Sequence, residues 1–326
     1  MTTPANLAAW LLTLASGAFT ACAATCPGGP YGFPIPDGAQ PVHLDNALPL
    51  DEFNHFGTLS ANVEGALWRS GSLYVSEFGE GAHPPPSRIL QIIGNQPGVV
   101  FAADAGTNGL ATDAAGVLHG ASHKIGGIVR FGLPGQEPTV VVGSYKGVRF
   151  NSPNDLTFRS DGTIYFTDPT WQAPQPAPQK RTRVYRVAPG AGNAKVVDDQ
   201  RDQPNGITLS PDEQVLYVTA RDGLYRYAVA PDGSAGPAVR FAPQISQGDG
   251  MVVDCAGNLY VTSTDVVVLD PAGLEIGRIV MPVGAGQITN LAFGGPKRKT
   301  LYITAMGSGS ARGVFKVKLD VPGLPY

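Results

Sequence analysis

The chain lacks the features that mark disulfide-rich, nucleic-acid-binding or membrane-spanning proteins. Its 326 residues include only 3 cysteines, too few for a disulfide framework. A formal net charge of -3, without a long run of like charge, leaves no basic surface for nucleic acid or an anionic membrane. The apolar stretch over residues 8–21 is too short to span a bilayer. We therefore expect no nucleic-acid partner and no membrane span.

Several catalytic signatures are missing as well. A serine-hydrolase elbow needs Gly-x-Ser-x-Gly between a strand and a helix, and Gly307-Ser-Gly-Ser-Ala311 fits neither the pattern nor the context. Glycine-rich phosphate-binding motifs before helices are absent from the sequence. The cysteines are few and the 5 histidines are not clustered, which argues against a dedicated zinc or copper site.

What the chain has in abundance is turn chemistry. With 42 Gly, 29 Pro and 43% hydrophobic residues, it suits an all-β, turn-rich globule with an extensive core. The pair Asp161-Gly162 separates two β-prone runs, Asp155–Phe158 and Thr163–Thr167. Because Gly accepts the positive φ that a hairpin turn requires, the segment predicts a strand, a tight turn and a second strand.

This pattern occurs six times along the chain. Each copy can be anchored on the apolar residue that precedes the aromatic residue or His of its second strand. The anchors are Leu73, Leu118, Ile164, Leu216, Leu259 and Leu301, which by subtraction are 45, 46, 52, 43 and 42 residues apart. Units of this length without helical periodicity are typical of four-stranded propeller blades. The sequence predicts an all-β fold, a six-bladed β-propeller.

Each repeat also carries a small polar residue 9 to 11 positions before its anchor. In a propeller the first strand of every blade faces the central channel, so equivalent positions form a ring at one mouth of that channel. The ring residues are Glu64, Asn108, Asn154, Asn205, Asp249 and Asn290. In all but the last repeat the next residue is Gly or Asp. The pattern predicts a ring of oxygen donors.

Such a ring is suited to a cation. Glu64 and Asp249, held near the channel axis, would raise each other's pKa and destabilise the fold unless a cation balanced them. The amide oxygens of Asn154 and Asn205 would complete an all-oxygen set, which suits Ca²⁺ better than Mg²⁺. The prediction is a metal site in the central channel that binds Ca²⁺, with another divalent cation such as Zn²⁺, Mn²⁺ or Mg²⁺ as the alternative.

Strand direction predicts which loops overhang this mouth. If the ring lies at the start of each inner strand, the segments that follow the second strands return to the same end. Two of them, residues 77–86 and 168–178, are long and proline-rich, and such loops on a rigid scaffold commonly shape sites. Phe78, His83 and Trp171 are the side chains in these loops that we predict to wall a pocket, and Ser122-His123 also falls at the mouth. Of these, Trp171 and His123 are predicted to contact substrate.

The N-terminal region divides into two predicted segments. Residues 1–25 are typical of a signal peptide or lipoprotein leader, with a possible lipid anchor on Cys22, and predict export to the periplasm or the exterior. Residues 26–50 are interpreted as a linker or as the outer strand that closes the ring, and residues 51–326 as one propeller domain. Cys26 and Cys255 could pair or stay free. The tail Gly313–Leu319 alternates as a strand should.

Six short motifs follow one another along the repeats. They are Glu64-Gly-Ala-Leu-Trp68, Ser152-Pro-Asn-Asp155, Tyr165-Phe-Thr-Asp168, Gln203-Pro-Asn-Gly206, Gly248-Asp-Gly-Met251 and Thr289-Asn-Leu-Ala-Phe-Gly-Gly-Pro296. In sequence and order, over roughly residues 60–305, they resemble the motifs of a known family, the SMP-30/gluconolactonase/luciferin-regenerating-enzyme-like (LRE-like) proteins.

The resemblance implies a six-bladed propeller that holds a divalent metal, usually calcium, and hydrolyses lactones or esters. It implies metal ligands at Glu64, Asn154, Asn205 and Asp249, the residues already selected by spacing, with Asp249 also the catalytic acid/base. The expected chemistry is a carbonyl polarised by the metal and attacked by water, whose proton Asp249 takes. The expected partner is a small-molecule lactone or ester.

Other site residues have two interpretations. Arg149 resembles an arginine that contacts substrate in some relatives, and is otherwise a charge at a strand end. Asn108 and Asn290 either hydrogen-bond substrate hydroxyls or cap strand starts. Ser122 stands where many bacterial relatives have Glu, so the resemblance does not fix a particular sugar lactone. The alternative function is a non-catalytic exported propeller with structural calcium that binds a ligand or a protein.

Overall fold

The computed structural model describes residues 38–42, 62–79, 83–94, 98–307 and 313–324. Within these ranges the chain forms six four-stranded antiparallel sheets, one two-stranded ribbon and a short 3-10 turn at Pro296–Arg298. The innermost strand of each sheet contacts that of the next, and the last contacts the first. The sheets thus close into a ring, which confirms the six-bladed β-propeller.

The first three blades run outward from the channel in chain order. Blade 1 contains β2 (Asn62–Arg69), β3 (Ser72–Phe78), β4 (Ser87–Ile92) and β5 (Val99–Ala102). Blade 2 contains β6 (Thr107–Thr112), β7 (Leu118–Ser122), β8 (Gly127–Arg130) and β9 (Thr139–Val142). The ribbon of β10 (Ser144–Tyr145) and β11 (Val148–Arg149) follows. Blade 3 contains β12 (Leu156–Phe158), β13 (Ile164–Asp168), β14 (Arg183–Val187) and β15 (Ala194–Asp198).

The other three blades repeat this order, except that the last takes a strand from the N-terminal side. Blade 4 contains β16 (Ile207–Leu209), β17 (Val215–Ala220), β18 (Gly223–Ala228) and β19 (Val239–Arg240). Blade 5 contains β20 (Met251–Val253), β21 (Leu259–Thr262), β22 (Val266–Leu269) and β23 (Glu275–Ile279). Blade 6 contains β24 (Gln287–Gly294), β25 (Thr300–Met306), β26 (Gly313–Lys318) and β1 (Gln40–Pro41).

The closing blade joins both ends of the described chain. β1 pairs antiparallel with β26, with Gln40 opposite Lys316 and Pro41 opposite Phe315. This pairing covers the outer edge of blade 6, which would otherwise expose unpaired backbone groups. The predicted C-terminal strand is therefore confirmed. The leader prediction over residues 1–25, together with Cys22 and Cys26, lies outside the described residues.

The core is divided among the interfaces between blades. Each of six clusters of buried apolar side chains joins the facing surfaces of two neighbouring blades. At the interface between the last blade and the first, Trp68 stacks on Tyr302 with ring centroids 5.4 Å apart. Since each blade packs on two neighbours, the channel wall is held rigidly by the layers behind it.

The predicted hairpin is present in blade 3. The Arg159 N–H donates to the carbonyl of Thr163 at 2.8 Å, and Gly162 adopts a φ of 89° in the turn. β12 and β13 begin one residue later than predicted, and all six anchor residues lie in the second strand of their blade. No helix in the described part of the chain is long and apolar enough to cross a membrane.

Candidate metal and substrate site

The six predicted ring residues lie at, or just before, the innermost strands of the six blades. All six are buried, and the most exposed of them, Asn205, retains only 8% of its surface. In blades 1, 2 and 6 the pairing register of the inner strand shifts at this level, a bulge that turns the chain locally. The repeat therefore brings six polar residues to one level of a closed channel.

Hydroxyl groups on the second strands fix the backbone of this ring. The Thr219 hydroxyl accepts from the Gly206 N–H at 2.8 Å and donates to the Asp249 carbonyl at 2.6 Å, so it joins blade 4 to blade 5. Thr167 donates to the Asn205 carbonyl at 2.6 Å, and Ser76 to the Asn108 carbonyl at 2.6 Å. Each of these hydroxyls stands three residues after an anchor, so the repeat itself carries the connection.

Blade 2 makes this connection differently. Its equivalent residue is Ala121, which has no hydroxyl to donate. Instead the Gly109 N–H donates to the Asn154 carbonyl at 2.6 Å. The backbone of the next ring residue is therefore still held, by a main-chain donor in place of a side chain.

The glycine after a ring residue has a steric reason. A Cβ atom at Gly206 would lie 2.4 Å from the Asp249 carbonyl oxygen, and one at Gly65 would lie 2.1 Å from the Asn108 carbonyl oxygen. Both distances are too short for real Cβ contacts. At these two positions the inner strands of neighbouring blades approach so closely that only glycine fits.

The carboxyl groups of the ring share a poorly solvated space. Burial raises the pKa of Glu64 well above its ordinary value, and the Asp249 and Asp155 charges raise it further. Burial and the Asp155 charge likewise raise the pKa of Asp249, against the hydrogen bonds from Asn205 and Gln287. Burial raises the pKa of Asp155 to about 7. These carboxyls are the groups that a bound cation would stabilise in their ionised form.

The amide of Asn205 supplies an independent sign of a ligand. Its side chain hydrogen-bonds Asp249, yet its buried Oδ1 has no partner. An unpaired buried acceptor is costly unless a donor or a cation completes it. Together with Glu64, Asn154 and Asp249, this oxygen makes a donor set that fits a hard divalent cation. The described residues contain no group of three or more His, Cys, Asp or Glu placed to hold a metal, so amide oxygens would have to contribute.

Asn108 and Asn290 are the two ring residues that are not predicted metal ligands, and they differ in which amide atoms are free to form hydrogen bonds. The Asn108 Nδ2 is buried without a partner, so it is a free donor for a bound oxygen atom. The Asn290 Oδ1 accepts from the Leu291 N–H at 2.7 Å, inside β24 and beside its register shift, so the bond does not cap a strand start. The Asn108 amide keeps a free donor, whereas the Asn290 amide oxygen is engaged by its own strand.

Arg149 and His123 form one structural unit beside blade 2. The Arg149 guanidinium donates to the carbonyls of His123 at 2.8 Å and Lys124 at 3.2 Å. The His123 ring is fully buried, stacks on Phe78 at 5.4 Å and hydrogen-bonds the Pro85 carbonyl through Nε2 at 2.7 Å. Burial lowers the pKa of His123 to about 4, so the ring is neutral at physiological pH. Its Nδ1 is buried without a partner.

The proline-rich loop that carries Trp171 is tied to its surroundings at several points. The Thr170 N–H donates to the Gln203 side chain at 2.8 Å, and the Ala173 carbonyl contacts the His83 ring nitrogen at 2.7 Å. Trp171 itself is half-buried. The two loops predicted to overhang the mouth thus touch each other, through His83 and Ala173.

Two carboxylates beside the ring were not assigned from the sequence. Asp155 accepts from the Leu156 N–H at 2.9 Å and the Ile207 N–H at 3.2 Å, and its charge acts on both ring carboxyls. Asp168 accepts from the N–H groups of Asn151 and Ser152 at 3.0 and 2.9 Å, and so positions the segment that leads to Asn154. The signal for Asp155 was its place where other repeats have Gly.

Cys255 is bonded in a disulfide, so it is not a free thiol. It lies in the turn between β20 and β21, and its N–H donates to the Pro322 carbonyl at 2.9 Å. The other two cysteines of the chain are outside the described residues.

Comparison with known proteins supports the family suggested by the motifs. Residues 94–307 match the SMP-30/Gluconolactonase/LRE-like region. A gluconolactonase from Zymomonas mobilis is 31% identical over 223 residues, which are 62% of this chain and 61% of that protein. The chain spans 61% and 48% of the length of two curated relatives that it matches.

Solved structures show the same fold. A Xanthomonas campestris protein, described as a gluconolactonase important in glucose secondary metabolic pathways, is 30% identical with a TM-score of 0.68, over 81% of this chain and 87% of that one. The calcium-binding protein regucalcin from Agrobacterium tumefaciens is 20% identical with a TM-score of 0.67, over 88% of this chain and 95% of that one. With these matches and the motifs in place, the chain belongs to the SMP-30/gluconolactonase/LRE-like family.

Proposed function

We propose that this protein is a Ca²⁺-dependent hydrolase that opens lactone rings in the central channel. The observation that carries the proposal is the buried ring, in which two carboxyls with raised pKa values meet an amide oxygen that has no partner. Relatives named gluconolactonase and lactonohydrolase support a lactone substrate. A neighbour described as a calcium-binding protein shares the fold, which agrees with a cation in this one.

In this proposal Glu64, Asn154, Asn205 and Asp249 hold the cation. When bound, Ca²⁺ would polarise the lactone carbonyl and keep Asp249 ionised. The Asn205 side chain orients the Asp249 carboxylate by hydrogen bonding, and the Gln287 Nε2 lies 3.4 Å from its Oδ2. The backbone links through Thr219 fix the position of Asp249 relative to blade 4.

Asp249 acts as the general base and then as the general acid. Its carboxylate takes a proton from a water molecule while the water oxygen bonds to the carbonyl carbon of the lactone. The ring C–O bond then breaks, and Asp249 returns the proton to the departing alkoxide. The product is a hydroxy acid, and Asp249 ends the cycle ionised, so atoms and charge balance.

The remaining residues recognise the substrate. The free Asn108 Nδ2 donates to a ring or hydroxyl oxygen of the lactone. His123 and Arg149 shape one side of the mouth through their shared contacts, and Trp171 lies on the loop that contacts His83. The Ser122 hydroxyl donates to the Gly106 carbonyl at 3.0 Å and so supports the local turn. It does not take over the role of the Glu carboxylate that many bacterial relatives carry at this position.

The test is hydrolysis of a panel of sugar and aliphatic lactones, followed by pH-stat titration of the acid released. Chelation should abolish turnover and Ca²⁺ should restore it, and Asp249→Asn should lower kcat by about 10²–10⁴-fold. Asp270→Asn is the matched control, because that carboxylate lies in a turn of the same blade and caps only its own backbone. It should leave kcat unchanged.

A second readout separates the metal from the chemistry. Ca²⁺ should raise the Tm of the chelated protein, and Glu64→Gln should reduce this shift. Turnover that is indifferent to chelation would overturn the proposed mechanism. Tight Ca²⁺ binding without hydrolysis of any lactone would instead support a propeller with a structural cation.

We also propose that the protein is exported. The composition of residues 1–25 and the disulfide at Cys255 support this, because structural disulfides persist in oxidising compartments. Fractionation of the source cells, with gel mobility compared with and without reductant, tests it. Fully reduced protein in the cytosol would contradict the proposal.

A further inference from the structure

The central channel continues past the ring as an apolar cavity of about 590 Å³. None of Glu64, Asn154, Asn205 and Asp249 lines it, so it is separate from the proposed metal site. All six blades contribute an inner-strand side chain to its wall, and the channel axis therefore runs through it. One wall residue from each blade is Leu67, Leu110, Leu156, Ile207, Val252 and Leu291.

The inner end of the cavity offers no unsatisfied acceptor. Asp155 and Asn290 are the polar residues there. The oxygens of Asp155 accept from the N–H groups of Leu156 and Ile207, and the Asn290 Oδ1 accepts from the Leu291 N–H. These two residues thus close the cavity toward the ring without directing a free carboxylate oxygen into it.

The charged groups at the outer end are engaged by turns of their own blade or of the neighbouring blade. The Asp113 carboxylate accepts from the Ala115 and Val117 N–H groups, both at 2.9 Å. Arg159 donates to Asp161 at 2.7 Å. Glu213 accepts from Ser160, at 2.7 Å from its N–H and 2.6 Å from its hydroxyl. The carboxylates at this mouth are thus hydrogen-bonded and outnumber the single lining cation, Arg159, whereas the Arg159 Nε and the Thr112 hydroxyl are buried without a hydrogen-bond partner.

Water is poorly held in such a space, because a buried water needs two to four polar partners. The volume falls in the range of about 300–1,000 Å³ that is typical of small-molecule sites. From Asp155 at the inner end to Ser160 at the outer end, the strand rise gives a depth of about 16 Å. The space is long, narrow and apolar.

We propose that this cavity is a second binding site, for an uncharged molecule with an elongated apolar body such as an alkyl chain. The ligand enters from the end opposite the ring, with its polar head at the Asp113 and Glu213 mouth. An anionic head is disfavoured there because the carboxylates of Asp113 and Glu213 outnumber the Arg159 guanidinium, which already donates to Asp161. The site is independent of lactone hydrolysis, so its test does not depend on that activity.

The test is a titration of the full-length protein with 1-hexanol, 1-octanol and 1-decanol by isothermal calorimetry. Affinity should increase about fourfold for each added methylene group until the chain fills the cavity. Decanoate should bind more weakly than 1-decanol. Trp68 lines the cavity, so binding should also change the tryptophan fluorescence, and Trp68→Phe should remove that change while calorimetric binding persists.

Two alanine-to-phenylalanine variants, one in the cavity wall and one outside it, test where the alkanol binds. Ala111 is a half-buried wall residue, and Ala111→Phe places a ring in the channel. It should weaken 1-decanol binding by about tenfold, equivalent to the space for roughly two methylene groups. Ala272→Phe adds the same side chain at an exposed turn and should leave binding unchanged.

Three results would overturn the proposal. The first is no saturable heat with any alkanol, which would show that the channel holds only water. The second is an affinity that does not depend on chain length. The third is equal weakening by Ala111→Phe and Ala272→Phe, which would place the alkanol elsewhere. Tighter binding of decanoate than of 1-decanol would overturn the assignment of an uncharged ligand.

Discussion

The two ends of the central channel are built from the same six inner strands and differ sharply in chemistry. At the ring end, buried carboxyls and amides remain incompletely paired, with raised pKa values at Glu64 and Asp249. At the turn end, the walls are mostly apolar and the carboxylates accept hydrogen bonds from the turns. The incompletely paired groups at the ring end reduce the stability of the fold, and unsatisfied buried groups of this kind mark functional sites.

One strand of blade 3 shows the same contrast within a few residues. Asp161, in the turn before β13, would have its pKa raised by burial, but the Thr163 N–H bond and the Arg159 guanidinium lower it overall. At the other end of β13, burial raises the pKa of Asp168 to about 7 despite two backbone N–H bonds. The surroundings at each end of the strand, and not the residue type, decide whether the pKa of the carboxyl is lowered or raised.

Gly206→Ala is the substitution that we expect to disrupt the structure of the ring end most. The added Cβ would meet the Asp249 carbonyl oxygen at 2.4 Å and the Gly250 Cα at 2.8 Å, so neighbouring blades must separate. We expect the free energy of unfolding to fall by about 3 kcal/mol and the Ca²⁺-induced rise in Tm to disappear. Urea denaturation with and without Ca²⁺ measures both.

The control for this variant is Gly192→Ala. Gly192 has open space around it, so an added methyl group meets nothing. Stability should change by less than about 1 kcal/mol, with the Ca²⁺ response intact. Similar losses in the two variants would contradict the close approach of blades 4 and 5 at the ring.

Asp161, in the turn before β13, and Asp168, at the end of β13, give a pH-dependent prediction of intermediate size. Because the folded-state pKa of Asp168 is raised to about 7 from 3.8, its contribution to stability is full below 3.8 and is lost as the pH rises through 7. Asp168→Asn cannot ionise, so from pH 4 to pH 8 its stability should rise relative to wild type by on the order of 2 kcal/mol.

Asp161→Asn should behave in the opposite sense. The pKa of Asp161 is lowered, so its stabilisation is present above 3.8 and is lost as the pH falls through the folded-state value. This variant should be less stable than wild type at pH 7, with the gap closing in acid. Denaturant titrations at several pH values compare the two, and parallel pH profiles would refute the contrast between the ends of the strand.

The smallest expected effect comes from the link between blades at the ring. Thr219→Val keeps the shape of the side chain but leaves the Asp249 carbonyl and the Gly206 N–H without their hydroxyl partner. We expect a loss of about 1 kcal/mol in the free energy of unfolding. Thr139→Val, on an exposed strand of blade 2, should change it by less than about 0.5 kcal/mol. A difference within error between the two variants would show that the hydroxyl link does not stabilise the ring.

Much of the fold could be predicted because the repeat is local. The Asp161-Gly162 turn and the alternating runs beside it fix one hairpin, and its recurrence at the six anchors fixes the number of blades. The ring positions followed from the same spacing. Asp155 was overlooked as a partner of the ring because its effect on Glu64 and Asp249 depends on distances between blades.

The sequence by itself determined the architecture, the family and the polar identity of the ring, since hydrophobic period, turn residues and repeat spacing are properties of the chain alone. Tertiary structure alone decided which of these groups remain unpaired. The free Nδ2 of Asn108, the paired Oδ1 of Asn290 and the unpartnered Oδ1 of Asn205 look alike in sequence. The Asn290 Oδ1 takes its partner from the next residue of its own strand, whereas the Asn205 side chain bonds Asp249 of the next blade, so the folded backbone and the packing of the blades decide each case. The apolar cavity beyond the ring has the same origin, because no single repeat encloses it.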